Sequence, residues 1–237
     1  MIERTEDHGI VTLRLAHGKV SALDLELGEE LRRQLALSRE ARAVILTGTG
    51  SSFSAGVDLF RMTSDGAAYV ERFWPVLNGL LEELFVFPRP VIAAANGHAI
   101  AGGCLVVAAC DYRLMSGGRI GVPELLVGVP FPAIALEILK FAAGRDAQFL
   151  AYSGVTLPPD EARARGLVDE VAAPGALLAR AREVAETLAA IPAETFRITK
   201  LQLRRGAQID DQARAVWTRP EVHAHIREYL ARTVGRK

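Results

Sequence analysis

The chain has 237 residues, 50% of them hydrophobic, and balances 28 basic against 28 acidic side chains for a formal net charge of zero. That length suits one large domain, or one domain with an appendage, and the apolar fraction is enough for a sizeable core. The balanced charge argues against nucleic acid or an anionic membrane as the main partner, and no window of ~20 uncharged apolar residues is present to span a bilayer.

Residues 1–8 are polar and carry no signal-peptide core. The two cysteines, Cys104 and Cys110, stand six apart in one apolar run and fall on different faces of a helix, so no disulfide is expected and the chain reads as cytoplasmic. Ile10–Leu15 alternates apolar and polar residues and reads as a strand. Leu23, Leu27, Leu31 and Leu35 then recur at helical spacing to about residue 38. Ala43–Thr47 reads as a short apolar strand, and 48–58 as a loop. A second helical stripe carries Tyr69, Phe73, Val76, Leu77, Leu80, Leu81 and Leu84, with Pro75 expected to kink or restart it and Pro88 and Pro90 to end it.

Val91–Ala95 has the composition of a buried strand, Asn96-Gly97 of a turn, and 104–110 of a buried helix opened by Ala101, Gly102 and Gly103. Short strands are expected over Tyr112–Met115, 120–122 and 167–171. Helices are expected over Ala133–Ala143, 145–152, 161–165, 176–190, Ala193–Arg205 and 212–232. Alternating strands and helices argue for an α/β architecture, with a strand-rich body over 1–191 and a helical region over 192–237.

Three stretches carry candidate chemistry. In F-S-A-G-V-D-L at 53–59, Gly56 permits a backbone angle that turns the Val57 N–H outward; the ordinary alternative is a strand-to-helix loop capped by Asp58. In I-A-G-G at 100–103, unsatisfied helix-start N–H groups lie open to a ligand; the ordinary alternative is a glycine-softened contact between helix and sheet. If the two loops meet, their N–H groups converge on one oxygen as an oxyanion hole, each donor being worth ~3 kcal/mol of barrier. In V-P-E-L-L-V-G at 122–128, Glu124 sits among Pro123 and apolar residues. Desolvation there raises a carboxyl pKa toward neutrality and suits it to shuttle protons, against the alternative of a turn glutamate facing water.

Other motifs are weaker. Gly48-Thr49-Gly50 starts like a dinucleotide fingerprint, but position 53 is Phe53 where the third glycine would stand. His8, His17, His98, His223 and His225 show no metal-ligand spacing, and no nucleophile elbow or Walker lysine loop is present. Cys104 reads as a small core residue rather than a nucleophile.

Taken in order, F-S-A-G-V-D-L, A-N-G-H-A-I-A-G-G-C-L-V, C-D-Y-R-L-M and V-P-E-L-L-V-G resemble the crotonase (enoyl-CoA hydratase/isomerase) superfamily over about residues 11–205. Within it the chain is most similar to the mitochondrial-type enoyl-CoA delta isomerases, above all in A-G-G-C-L-V-V-A-A-C-D-Y-R-L-M at 101–115. The resemblance implies a crotonase-like spiral of β-β-α turns, and a helical C-terminal part that builds a homotrimer or a dimer of trimers. It implies an acyl-CoA thioester as partner, with CoA belonging to the substrate, and no further cofactor or metal. By position, Val57 and Gly102 supply the oxyanion-hole N–H groups, Glu124 is the catalytic base, and Ala55, Gly56, Asp58, Leu59 and Gly103 line the thioester path.

Hydratases of the superfamily carry a second glutamate where this chain has Leu105. Moving a double bond needs one base that takes a proton and returns it elsewhere, so isomerisation of 3-enoyl-CoA to 2-enoyl-CoA in fatty-acid β-oxidation is expected. The alternatives are a hydratase recruiting Glu71, Glu82 or Glu83, and a non-catalytic acyl-CoA-binding homologue. A dehalogenase is disfavoured because no nucleophilic aspartate stands beside Glu124, and Asp111 reads as a pairing or capping group. Lys19, Arg61, Lys200 and Arg204 are candidate partners of the CoA phosphates, the last two toward a neighbouring subunit, against the alternative of solvated surface charges, and the pocket over 63–85 is expected to set acyl preference.

Overall fold

Two short strands and a helix, repeated three times, set the architecture of the computed structural model, which describes residues 1–206, 210–217, 219–222, 224 and 226. A hairpin of β1 (Ile2–Asp7) and β2 (Ile10–Leu15) precedes α1 (Leu25–Leu37). The first repeat is β3 (Ala43–Thr47), β4 (Ser52–Ser54) and α2 (Leu59–Phe85). The second is β5 (Val91–Ala95), β6 (His98–Ile100) and α3 (Gly102–Ala108). The third is β7 (Tyr112–Met115), β8 (Ile120–Gly121) and α4 (Glu124–Val127), with α5 (Ala133–Ala143) and α6 (Ala147–Ser153) following. The chain continues through β9 (Thr156–Leu157), α7 (Pro159–Ala164), β10 (Glu170–Val171), α8 (Leu177–Ala189), α9 (Ala193–Arg205) and α10 (Asp210–Trp217).

Each repeat places its first strand in one sheet and its second in another. The large sheet runs β1-β2-β3-β5-β7-β10 and the small one β4-β6-β8-β9. Parallel pairing joins β2, β3, β5, β7 and β10, and likewise β4, β6 and β8. The continuous apolar runs of β3 and β5 follow from burial on both faces. Val44, Leu46, Val91, Ala93 and Ala95 belong to the main core with the α1, α2 and α3 stripes. Ile45, Ile92 and Ala94 belong to a second cluster with Leu177, Ala181, Val184 and Ala185 of α8.

The turns between sheets are tight. Asn96 Oδ1 accepts from the Gly48 N–H at 2.8 Å, and its Nδ2 donates to the Gly50 carbonyl at 3.0 Å. A Cβ on the neighbouring Gly97 would lie 2.0 Å from the Ser51 oxygen, so only glycine fits there.

The structure departs from the sequence expectations at several points. The charged segment Ile2–Asp7 is a strand, and three-residue strands lie inside stretches read as loop and turn. Helix α2 breaks at Gly66 (φ 66°, ψ −156°), a conformation open essentially to glycine, and not at Pro75. Pro75 and Glu71, four residues before it, are both exposed, so water can serve the carbonyl that proline leaves free. Of the strand expected over 167–171, only Glu170–Val171 pairs. Of the helix expected over 212–232, α10 covers the first part; residues 227–237, and His223 and His225, lie outside the described residues.

The turn at 191–192 leads into a helix bonded to the body. Asp111, at the start of β7, accepts from the Val91 N–H and from Lys200 Nζ, each at 2.8 Å, and pairs with Arg204 at 2.8 Å. Arg204 also donates to the carbonyls of Phe85, Ala109 and Cys110, two of which end α3. Lys200 is 5% and Arg204 7% exposed, and burial holds both cations below their usual pKa ranges while the Asp111 charge opposes it. The expectation that these two side chains reach for CoA phosphates is therefore corrected: their charges are spent inside the molecule. Asp111 pairs, as its place in the C-D-Y segment suggested.

Candidate active site

The loop after β4 is held between two neighbours. Gly56 takes φ 82°, and a Cβ on it would meet the Ile100 oxygen at 2.5 Å, the Ala101 Cβ at 2.8 Å and the Gly102 nitrogen at 3.1 Å. Gly56 thus brings its loop into direct contact with the start of α3. Val57 forms a parallel bridge with Leu23, whose N–H donates to the Gly56 carbonyl and whose carbonyl accepts from the Asp58 N–H. Asp58 caps α2 by accepting from the Arg61 N–H at 3.0 Å.

On the other side, Ala101 adopts φ 51° and ψ −124°, a conformation that costs a non-glycine residue ~1–3 kcal/mol. Its N–H donates to the Gly121 carbonyl at 2.8 Å and its carbonyl accepts from the Leu105 N–H at 3.1 Å, which holds the bend. A Cβ on Gly102 would lie 3.7 Å from the Val57 nitrogen. Among the described residues, neither the Val57 nor the Gly102 N–H meets an acceptor. Gly103 serves packing, since a Cβ there would lie 2.4 Å from the Ser54 oxygen.

A cavity of about 320 Å³ opens at this junction. Ala55, Val57, Leu59, Gly102, Leu105 and Glu124 line it, so the structure brings together the two candidate amides, the candidate base and part of the expected thioester path. Gly56, Asp58 and Gly103 stand behind the wall, as hinge, cap and packing surface. Helix α2 contributes Met62, Val70, Phe73, Trp74, Leu77 and Leu81, within the region expected to shape the pocket apart from Met62. Val127, Val129, Pro130 and Pro132 add to the lining. Sequence reasoning missed this last group; its only signal was prolines interleaved with apolar residues.

Among the described residues, Glu124 is the only acidic or basic side chain on this wall. It begins α4, and its Oε2 is buried without a hydrogen-bond partner among the described residues. Desolvation pushes its pKa up to about 7, opposed only by its own backbone N–H. Leu105, 3% exposed, stands on the same cavity where a second acid would be needed for two-group chemistry. Glu71 is exposed, Glu82 pairs with Arg205 and Glu83 with Arg32, and none of the three reaches the cavity. Burial first, and the nearby Glu124 charge second, push the Cys104 thiol far up, which suits a core residue and not a nucleophile.

Arg61 is engaged by Glu26 in a two-pronged pair and lies 4.9 Å from the Tyr69 ring centre. Lys19 is exposed beside Val20, whose carbonyl accepts from the Ala55 N–H. Among the described residues, no three His, Cys, Asp or Glu side chains are grouped to hold a metal ion, and no helix is long and apolar enough to cross a membrane.

The chain is similar to known proteins along nearly its whole length. A model of the enoyl-CoA hydratase/isomerase family matches residues 5–236. A putative enoyl-CoA hydratase of Thermus thermophilus is 36% identical over 67% of this chain, the match spanning 64% of that relative's length. The mitochondrial enoyl-CoA delta isomerase 1 of Rattus norvegicus is 32% identical over 86% of this chain and 74% of its own. A short-chain-enoyl-CoA hydratase of Clostridium acetobutylicum is 33% identical over 72% of this chain and 67% of its own. Among solved structures, an enoyl-CoA hydratase from Bacillus anthracis superposes with a TM-score of 0.87 at 26% identity, covering 98% of this chain and 96% of that one. The spiral of strand–strand–helix turns, the helical C-terminal region and the sequence matches agree: the chain belongs to the enoyl-CoA hydratase/isomerase family.

Proposed function

We propose that the protein isomerises 3-enoyl-CoA thioesters to conjugated 2-enoyl-CoA thioesters. One observation carries the reading: among the described residues Glu124 is the sole acid or base on the cavity wall, and Leu105 lines the same cavity. Glu124 as carboxylate removes a proton from the carbon between the thioester and the β,γ double bond. The electrons pass onto the carbonyl oxygen, and the Val57 and Gly102 N–H groups stabilise the dienolate. Glu124, now protonated, delivers the proton to the γ carbon and the electrons return to form the α,β double bond. The net change is the position of one proton and one double bond, so the chemistry requires no redox partner.

Hydration competes as a reading because relatives at comparable identity are named hydratases. Adding water requires a group that orients it as well as a proton donor, and the apolar wall supplies one such group. Purified protein offered 3-enoyl-CoA is expected to form the conjugated thioester, followed by its absorbance, at a rate well above the hydration of 2-enoyl-CoA. The reverse order of rates would overturn the isomerase reading, and no turnover of either substrate would favour the binding homologue.

The pH dependence has a defined sign. Glu124 must be ionised to accept the first proton, so kcat/KM is expected to fall about tenfold per pH unit on the acid side of a midpoint near 7. A midpoint near 4.5 would place the base in water. Gly56→Ala probes the other half of the site. An added methyl collides with Ile100 and strains the positive φ, and the displaced Val57 loop is expected to lower kcat roughly 100-fold, the scale of one lost oxyanion donor.

A further inference from the structure

The Val57 loop is supported from behind by a single connection, residues 17–24 between β2 and α1. The Ala55 N–H donates to the Val20 carbonyl at 3.0 Å, and the Ser54 hydroxyl donates to the Ser21 carbonyl at 2.7 Å. The Leu23 N–H donates to the Gly56 carbonyl at 2.7 Å, and the Asp58 N–H donates to the Leu23 carbonyl at 3.0 Å. These bonds flank Val57, which lines the cavity, on both sides and leave its own N–H without an acceptor among the described residues.

The supporting connection is itself irregular. Buried Ser21 sits at φ 46°, which a non-glycine residue adopts at a cost, so the segment holds its shape only if its surroundings fix it. Its ends are joined by one side-chain contact: His17 Nε2 lies 2.7 Å from Asp24 Oδ2. A carboxylate only accepts, so Nε2 carries the proton. Asp24 is in turn anchored, because its Oδ1 accepts from the Leu27 N–H at 2.8 Å in the first turn of α1. Within the loop, the Ser21 N–H donates to the His17 carbonyl at 2.9 Å. His17 does not line the cavity, so any effect it has on the reaction passes through the loop.

We infer that the His17–Asp24 hydrogen bond staples the 17–24 connection so that it aims the Val57 N–H at the thioester oxygen, making His17 a positioning residue. The inference rests on the oxyanion role proposed for Val57. The test reads that role directly, by difference infrared spectroscopy of a bound saturated acyl-CoA labelled with ¹³C at its thioester carbonyl. Wild-type protein is expected to lower the carbonyl stretching frequency relative to the free thioester. In His17→Ala the band is expected to move back toward the free value while kcat drops about tenfold, a fraction of the ~100-fold that losing a whole donor costs. KM should stay within twofold, since a donor used mainly in the transition state changes kcat.

His17→Gln, which keeps an N–H donor in reach of Asp24, is expected to restore most of both readouts. A His17→Ala protein with an unmoved carbonyl band, or with a rate loss matching only its loss of folded fraction, overturns the staple. Equal defects in His17→Ala and His17→Gln assign the effect to ring packing and also overturn it. A wild-type protein that binds the thioester without shifting its carbonyl removes the oxyanion reading itself, a failure distinct from the others.

Discussion

Glu124→Gln is expected to abolish isomerisation and at the same time to stabilise the folded protein above neutral pH. Glutamine keeps the size of the side chain and loses the base, so turnover of a 3-enoyl-CoA should fall by about 10⁴-fold, the upper range for a general acid–base group. The stability effect follows from the same burial. With a folded-state pKa of about 7 against an ordinary 4.5, the folded chain holds this proton more tightly than the unfolded chain does. The sign is therefore that of a raised carboxyl: no cost below pH 4.5, where both states are protonated, a cost that grows between 4.5 and 7, and the full cost above 7. At ~1.4 kcal/mol per pH unit that cost comes to ~3–4 kcal/mol. Urea unfolding of the wild-type and Gln proteins at pH 8 and pH 4.5 should show a gap of a few kcal/mol at the higher pH and near coincidence at the lower. Equal stabilities at both, together with retained turnover, would sink the assignment of Glu124 as a desolvated base.

Asp111→Ala is the second large effect, and it falls on the fold. The substitution leaves Lys200 and Arg204 buried as uncompensated cations and the Val91 N–H without its acceptor. Removing one partner from a buried ionic set typically costs ~3–5 kcal/mol, a large share of the stability of a single domain. Denaturant unfolding of Asp111→Ala should show that loss, with α9 freed first. Lys200→Met, which removes a cation and keeps the volume, is expected to cost less, and its affinity for CoA should remain within twofold of wild type. A large drop in CoA affinity in a fully folded Lys200→Met protein would restore the phosphate role that the buried position argues against.

The elements that could be read from sequence are those whose pattern is local. Strands at 43–47 and 91–95 are apolar on consecutive positions because the sheet is covered on both sides, and α5 and α9 begin at residues that follow prolines. Glu124 stood out for a partly local reason as well, since Pro123 and Val127, close to it in sequence, line the same cavity. Strands of three residues, at 52–54 and 98–100, are too short for a period of two to register. The charged strand at 2–7 pairs on one edge only, so its composition obeys solvent. Lys200 and Arg204 misled because a basic side chain carries no mark of where it will lie. Their partner Asp111 is about ninety residues away, and only the folded chain brings it within reach.

That separation bears on how the molecule is made. Parallel pairing of 10–14 with 43–47, and of 44–47 with 91–94, already forces each new strand to wait for a distant one, which slows closure of a sheet. The aspartate at 111 waits as well, because its counterions leave the ribosome only with residues 200 and 204. Until α9 is made and docks, this carboxylate has neither cation to answer it, so the ion set closes late in the folding of the body.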